Sequence, residues 1–292
     1  MYNKHKTILN HVILILGIVF LMLPIWIAFA SSTHTAEHIA REGVQFWLGD
    51  NFWGTYSGLL SGESGLFAET DGNSDQVKGV GAGIMLKNSI ILGLGFAIGK
   101  IIISMTAAYA IVYFRFPLGN FFFWIIFLTL LLPLEVRIIP SYEIVAQLGL
   151  LNSYTGLILP LIASATATFF FRQYYKSIPD ELLEAARLDN AGPLRFFWDI
   201  LVPLSRTMIA AIFIIMFVVG WNQYLWPILM TTDENLYTLL LGIKNVVNVL
   251  EEGKIPAFNR AFALSIIAML PPVMIVIFFQ RWFIKGLVET EK

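Results

Sequence analysis

The sequence of 292 residues contains no cysteine, so disulfide bonds and thiolate metal sites are excluded. Its four histidines are His5, His11, His34 and His38, and none lies beside a candidate nucleophile, so a Ser–His–Asp triad has no candidate. His34 and His38 are four positions apart, a spacing that suits a shared metal on a helix. Both fall in a predicted loop without a carboxylate cluster, which favours solvated side chains. We therefore predict no metal site and no cofactor in this chain.

Charge is also scarce. Only 13% of the residues are charged and 57% are hydrophobic, whereas soluble domains have about 25% charged residues. Apolar runs of about 20 residues can cross a bilayer core of about 30 Å as helices. Six such runs occur, at 11–30, 89–113, 120–138, 155–175, 203–226 and 261–284. The composition predicts an all-α membrane protein with about six transmembrane helices.

Lysine and arginine predict the orientation. If the amino terminus is inside, the inner connections carry more of these residues than the outer ones, although they are shorter in total. The positive-inside rule then favours two cytoplasmic termini in a multi-pass membrane protein. The predicted organisation is a cytoplasmic start at 1–10, a first helix at 11–30, a periplasmic loop at 31–88, a core of five helices at 89–285 and a cytoplasmic tail at 286–292.

The first apolar run has some features of a signal peptide, because basic residues precede it and small residues at 28–31 end it. Its apolar stretch of about 18 residues is longer than the 7–15 residues of a cleaved signal. We therefore favour an uncleaved first helix.

A short charged segment, residues 177–203, separates two of the apolar runs. A hydroxyl, a proline and two acids at 177–181 are helix start signals. Apolar and charged residues then alternate at helical spacing. Asn190 suits a left-handed turn, and the Gly-Pro pair two residues later prevents further winding. The pattern predicts a short amphipathic helix over 178–190.

This segment resembles the Glu-Ala-Ala loop of the permease subunits of bacterial ABC importers. The family pattern is Glu-Ala-Ala, three residues, Gly, nine residues, Ile, one residue, Leu-Pro. This chain fills those places with Glu184-Ala185-Ala186, Asn190, Ile200 and Val202-Pro203. Two positions depart from the pattern. Asn in place of Gly still tolerates a left-handed backbone conformation, and Val in place of Leu is still a bulky apolar residue.

The resemblance implies a type I ABC importer permease whose short helix lies in a cleft of a separate ATPase. The implied ATPase-coupling residues are Leu182, Leu183, Glu184, Ala185, Ala186, Arg187, Asp189 and Asn190. The implied partners are a second, homologous permease subunit, a cytoplasmic ATPase dimer that binds ATP and magnesium, a periplasmic or external substrate-binding protein and membrane lipid, with no nucleic acid. The stretch Gly95–Ile101 lacks two residues of a phosphate-binding loop and lies in a membrane run, so ATP hydrolysis needs another chain.

Two of the predicted external loops are long enough to form a surface for a partner. The loop over 31–87 is rich in glycine and acids, and aromatic residues between 46 and 56 indicate that part of it packs or lies at the lipid interface. The loop over 227–259 is the second external surface. Loops like these contact a substrate-carrying protein in sugar importers, and simple solvation is the alternative.

Six polar residues are candidates for the substrate path: Lys100, Glu135, Arg137, Asn222, Gln223 and Tyr224. A lysine near mid-membrane costs about 2.5–3.5 kcal/mol, so Lys100 either meets an anionic cargo or reaches a structural partner. Arginine offers a planar fork for phosphate or carboxylate oxygens, and snorkelling is the alternative for Arg137. The aromatic and amide residues at 221–226 suit polyol hydroxyls or, alternatively, an aromatic belt.

The resemblance extends over nearly the whole chain and is weakest at 31–80. It is carried by RFPLGNFFFWIIFLTLLLPLEVRIIP, SATATFFFRQYY, PLRFFWDILVPLSRT, GWNQYLWP and QRWFIKGLVETEK. These stretches are similar to the carbohydrate-uptake, maltose-permease-like branch, above all to permease subunits of sn-glycerol 3-phosphate importers. The implied cargo is sn-glycerol 3-phosphate or related glycerophosphodiesters. A neutral sugar or oligosaccharide is the alternative.

The sequence argues against two other function classes. An ion-driven transporter or channel should carry a charge relay in several helices, but only Lys100 lies deep in a predicted span. A membrane-embedded enzyme acting on lipids should carry an Asp, Glu or His cluster at the membrane surface, and none is present outside the coupling segment.

Overall fold

The fold is known from a computed structural model that describes residues 4–61, 80–114, 116–248 and 257–288. Parts of both predicted external loops, at 62–79 and 249–256, and the end of the tail, at 289–292, lie outside the described residues. All regular elements of the described ranges are helical, which confirms the predicted all-α fold class. The chain divides into two compact units, Met1–Lys87 with Tyr237–Leu270 and Asn88–Leu236 with Pro271–Lys292.

Within the described ranges, three helices are long and apolar enough to cross a membrane without interruption. They are α1 (Lys4–Ser32), α4 (Ala82–Tyr113) and α15 (Phe258–Val288). Each begins before the corresponding predicted run, because hydropathy marks the apolar centre of a helix and not its polar ends. The shorter helices are α2 (Ala36–Glu42), α3 (Phe52–Ser61), α5 (Gly119–Leu128), α6 (Leu134–Gln147), α7 (Tyr154–Ile158), α8 (Ala165–Lys176), α9 (Asp180–Leu188), α10 (Pro193–Arg195), α11 (Val202–Leu204), α12 (Arg206–Trp221), α13 (Leu225–Met230) and α14 (Leu239–Asn248).

The other three predicted spans are bent pairs of helices. The bends are 106° between Gly119–Leu131 and Glu135–Gln147, 49° between Tyr154–Leu161 and Ala165–Lys176, and 74° between Pro193–Leu204 and Arg206–Trp221. The described residues therefore contain six spans only if each bent pair counts as one. The predicted runs over 120–138, 155–175 and 203–226 each overlap one of these bent pairs, and hydropathy alone does not predict the bends.

The first unit packs the loop after α1 back onto the end of that helix. The hydroxyl of Thr33 accepts the backbone N–H of Gly49 at 2.7 Å, and the indole of Trp26 donates to the carbonyl of Phe46 at 2.9 Å. Tyr56 of α3 meets the hydroxyl of Ser32 at 2.9 Å. Burial raises the pKa of Tyr56, an effect that the Ser32 hydrogen bond opposes. The prediction that part of this loop packs is confirmed for the described residues.

The second unit has a buried apolar core at which four helices and the short turn after α7 meet. Its buried members are Leu92, Phe96, Ile138, Val145, Leu157, Leu161, Trp226 and Met230. The Trp226 side chain is fully buried, and its indole donates to the carbonyl of Leu157 at 3.0 Å. Trp221 is also buried, with 3% of its surface exposed. Neither tryptophan is the interfacial anchor or polyol platform that the sequence suggested.

Candidate functional site

Lys100 and Arg137 line one cavity of about 360 Å³ in the second unit. The other polar groups at this cavity are the hydroxyls of Thr129, Ser164, Thr166 and Thr168. No aspartate or glutamate is among the described residues that line it. The arrangement therefore combines two cations with hydroxyl groups and leaves the positive charge without an acidic counterpart in the cavity wall. We call it the cationic cavity.

Local structure explains where each cation lies. Lys100 is in the middle part of α4, and its ammonium is 3.9 Å from the centroid of the Phe96 ring. That ring belongs to the preceding turn, which is the spacing at which helical side chains meet. The lysine thus gains a cation–π contact, whereas the sequence suggested a carbonyl or carboxylate as the structural alternative.

Arg137 is in the first turn and a half of α6, directly after the 106° bend. Pro133 precedes this helix, and Leu132 before it has extended backbone angles, because proline disfavours helical angles in the residue before it. The bend redirects the chain at this position. Arg137 lies near the end of the predicted run 120–138, and the structure places it in the helix that follows the bend.

The part of the cavity wall that contains Ser164 is set by close packing between α4 and the start of α8. The hydroxyl of Ser104 donates to the carbonyl of Ser164 at 3.2 Å, and the hydroxyl of Ser164 accepts the N–H of Ala167 at 3.2 Å. The second contact caps α8. A Cβ atom on Gly99 would lie 2.5 Å from the side chain of Ile162, so glycine permits this approach. Residues around Lys100 are therefore held by two packed helices.

The remaining candidates for the substrate path do not line the cationic cavity. Glu135 lies in the first turn of α6 and is exposed. Asn222, Gln223 and Tyr224 form the connection between α12 and α13. The amide of Gln223 donates to the carbonyl of Val219 at 3.2 Å. The cavity lining thus contains two of the six candidates, Lys100 and Arg137, and none of the other four.

The predicted coupling helix is present as α9, Asp180–Leu188, which is shorter than the predicted 178–190. Ser177 does not cap its start, because this residue ends α8 and its hydroxyl donates to the carbonyl of Tyr174 at 2.7 Å. Pro179 occupies the N-cap position without a side-chain hydrogen bond. The two acids in the first turn therefore provide the favourable interaction with the helix dipole.

The end of α9 confirms the left-handed turn that was predicted at Asn190, which has a φ of 54°. Its N–H donates to the carbonyl of Arg187 at 3.0 Å, and the N–H of Ala191 donates to the carbonyl of Ala186 at 2.9 Å. These two bonds form a Schellman motif, which satisfies carbonyls that the helix leaves free. The stop is thus a hydrogen-bonded cap.

Two faces of α9 differ in exposure. Ala186 is buried with 4% of its surface exposed, and Leu183 is half-buried. Leu182 and Leu188, by contrast, are exposed, Leu188 to 84%. Glu184, Ala185, Arg187 and Asp189 are also exposed. The helix therefore presents a charged face with two leucines outward, while its small apolar face packs on the second unit.

The histidine pair lies partly on a helix, contrary to the expectation of a loop. The rings of His34 and His38 stack with centroids 4.6 Å apart, and His38 of α2 lies 3.6 Å from the carboxylate of Glu42. Among the described residues, no group of three or more metal-ligating side chains is found.

Residues 100–289 match the family model described as binding-protein-dependent transport system inner membrane component. This stretch is well over half of the chain. The chain belongs to this family. It is therefore an inner-membrane permease subunit of an ABC importer and not an enzyme, which confirms the family predicted from the Glu-Ala-Ala loop.

Relatives of this transport family match over nearly the whole length. The sn-glycerol-3-phosphate transport system permease protein UgpE of Agrobacterium fabrum is 47% identical over 285 residues, 98% of this chain and 97% of that protein. The protein of the same name from Brucella melitensis is 47% identical over 287 residues, 98% of each chain. That from Yersinia pestis is 46% identical over 282 residues, 97% of this chain and 96% of that protein.

A solved structure has the same fold. It is a chain of a bacterial ABC transporter involved in the import of the acidic polysaccharide alginate, with a TM-score of 0.77, and the match covers 97% of this chain and 99% of that one. The two sequences are 22% identical, so the likeness shows the fold alone.

Proposed function

We propose that this chain forms half of the translocation path for sn-glycerol 3-phosphate, or for related glycerophosphodiesters, and that the cationic cavity contacts the phosphate. The observation that carries the proposal is the pairing of Lys100 with Arg137 in a cavity that has no acidic residue among its described lining. The names of relatives that are 46–47% identical support the same cargo.

Charge explains why an anion suits this cavity. Two cations that share a cavity repel each other, and a charge in an apolar environment is costly unless it is paired. A phosphate between them would supply the missing counter-charge, and the guanidinium of Arg137 offers two parallel donors to its oxygens. The hydroxyls at the cavity are suited to the polyol part of the cargo. A neutral sugar would leave the two cations unpaired.

Arg137 is exposed in the isolated chain, which fits a path completed by a second, homologous permease subunit. An external binding protein would deliver the cargo, and a cytoplasmic ATPase dimer would bind ATP and magnesium. In this proposal both termini and α9 are cytoplasmic. Closure of the ATPase dimer moves α9 as a rigid body and opens the path outward.

Uptake by the complete importer, reconstituted in proteoliposomes with ATP inside, tests the cargo. We expect labelled glycerol 3-phosphate to accumulate while maltose and glycerol do not. Lys100→Met and Arg137→Met should each lower kcat/KM by about tenfold or more, since hydrogen bonds to charged groups contribute about 1.5–3 kcal/mol. Accumulation of maltose instead of glycerol 3-phosphate would support the neutral-sugar alternative.

Lys87→Met is the matched control, because Lys87 is an exposed lysine of the same helix that does not line the cavity. Its uptake should equal that of the unaltered importer. Wild-type uptake by a well-expressed importer that carries both Lys100→Met and Arg137→Met would remove the cationic cavity from the path.

A further inference from the structure

A second cavity, of about 210 Å³, lies where α8 joins α9. Its polar lining comprises Tyr113, Asn120, Arg172, Tyr175, Lys176 and Asp180. None of these residues belongs to the cationic cavity. The linker between α8 and α9 and the first turns of α9 form one wall, so the cavity touches the joint between a membrane helix and the coupling helix. We call it the joint cavity.

Arg172 is the unusual member of this lining. Only 9% of its surface is exposed, although arginine is almost never fully buried unless it is paired. One terminal nitrogen donates to the amide oxygen of Asn120 at 3.1 Å, and the guanidinium carbon lies 3.8 Å from the centroid of the Phe123 ring. These two contacts fix the plane of the side chain.

The Nε atom of Arg172 has no hydrogen-bond partner among the described residues, and this atom is buried. A buried donor without an acceptor costs about 1–3 kcal/mol, and more when the group is charged. Arg172 lines the joint cavity, and a guanidinium that is short of acceptors suits an acceptor that enters this cavity from outside the chain.

The charge balance of the joint cavity favours an anion. Arg172 and Lys176 bring two positive charges, and Asp180 brings one negative charge. Asp180 opens α9, where a carboxylate interacts with the positive end of the helix dipole. The cavity therefore retains positive charge on the α8 side. A planar guanidinium next to an ammonium suits the oxygens of a phosphate.

The position along α8 fits the membrane surface. Arg172 is four residues before the last residue of this helix, which corresponds to about 6 Å at a rise of 1.5 Å per residue. Phosphate groups of anionic lipids lie at this depth, and basic pockets between membrane helices bind their head groups. A lipid could therefore reach the cavity from the bilayer and a free anion from the water.

We propose that the joint cavity binds a phosphate group, either the phosphodiester of an anionic lipid or inorganic phosphate, through Arg172 and Lys176. The bound group accepts from the guanidinium of Arg172 and from the ammonium of Lys176. It thereby ties the end of α8 to the start of α9 and stiffens the joint through which the ATPase moves the membrane helices. This site is separate from the transported cargo.

Binding to the complete importer, without any transport step, tests this site. The complex is placed in nanodiscs of phosphatidylglycerol or of phosphatidylcholine, and its thermal unfolding and retained lipids are measured. In a second arm, sodium phosphate is titrated against sodium chloride at equal ionic strength. Stabilisation by phosphatidylglycerol alone identifies a lipid site, and stabilisation by phosphate alone identifies a free-anion site. Equal behaviour with all four additions overturns the proposal.

Three variants assign the effect to the cavity. Arg172→Lys keeps the charge but removes the planar fork, Arg172→Met removes the charge, and Lys176→Gln changes an exposed residue that the fold does not need. Each should weaken the selective binding by about tenfold or more. If Arg172→Met does not assemble, the other two decide.

Arg195→Gln is the matched control, because Arg195 is an exposed arginine beyond α9 that pairs with Asp199 at 3.3 Å. It should bind the phosphate group as the unaltered importer does. Full selective binding by both Arg172→Lys and Lys176→Gln, or an equal loss in Arg195→Gln, would contradict the assignment. Because the readout is binding, its failure is distinguishable from a failure of the proposed cargo.

Discussion

Single residues set the geometry of the cationic cavity and of α9, two parts of this permease for which a function is proposed. Lys100 remains in an apolar helix because the Phe96 ring contacts its ammonium and a polar cavity receives it. The sequence shows this lysine within an apolar run, whose leucines and isoleucines offset its insertion cost. It could not predict that Arg137 lines the same cavity, because the two residues lie on different helices. The bend after α5 sets the position of Arg137.

Asn190 provides a test at this scale. Asn190→Val should lower the stability of the assembled importer by about 1–2 kcal/mol, because a β-branched residue fits a left-handed turn poorly. The two hydrogen bonds of the cap would weaken with it. Thermal unfolding and the ratio of transport to ATP hydrolysis are the measurements.

Asn190→Gly is the matched control, since glycine adopts this conformation freely. It should keep both the unfolding temperature and the coupling ratio. Equal values for the valine and glycine variants would show that the left-handed cap does not matter to α9.

Arg172 is a residue whose surroundings the sequence did not reveal. The positive-inside rule treats it only as one basic residue near an inner connection. The available signal was its place within the aromatic run FFFRQYY, where a cation needs a partner. Its contact with Asn120, 52 positions away, depends on the packing of α5 against α8 and could not be deduced from either segment.

At the scale of elements, apolar runs predicted which parts of the chain enter the membrane but not the path they take there. Proline alone does not mark the bends. Pro24, Pro271 and Pro272 lie inside continuous helices, whereas the chain bends at Pro133 and at Ser164 and Ser205. Whether a helix breaks depends on which neighbouring groups form hydrogen bonds with the backbone N–H and C=O groups that the break frees. Those neighbours are set by the tertiary structure.

The main prediction at this scale concerns α9, the proposed coupling helix. Leu182→Asp and Leu188→Asp should each weaken binding of the ATPase by about tenfold or more, because both side chains are exposed and a carboxylate is costly in an apolar cleft. Leu183→Asp should act differently, since this side chain is half-buried against the permease itself and lines the joint cavity. It should lower the stability of the permease.

Co-purification of the ATPase and thermal unfolding separate the two effects. Leu148→Asp is the control, because Leu148 is an exposed leucine that follows α6, far from α9 in sequence. An intact complex with Leu182→Asp and Leu188→Asp together would contradict the assignment of α9 as the docking element.

For the whole molecule, the absence of cysteine makes the orientation directly measurable. Leu194→Cys and Glu234→Cys each introduce a single thiol at an exposed position of this chain. A membrane-impermeant maleimide should label Glu234→Cys in intact cells and Leu194→Cys only after permeabilisation, because the positive-inside rule predicts a cytoplasmic position for the segment after α9. The reverse pattern would invert the proposed topology.

The central claim is that a short amphipathic helix of this subunit couples solute movement to nucleotide hydrolysis by another chain. Uptake of glycerol 3-phosphate into proteoliposomes, with and without the ATPase subunit, tests it most directly. Accumulation should require the ATPase together with internal ATP and should stop when either is omitted. Equal accumulation by the membrane subunits alone, without nucleotide, would contradict the account.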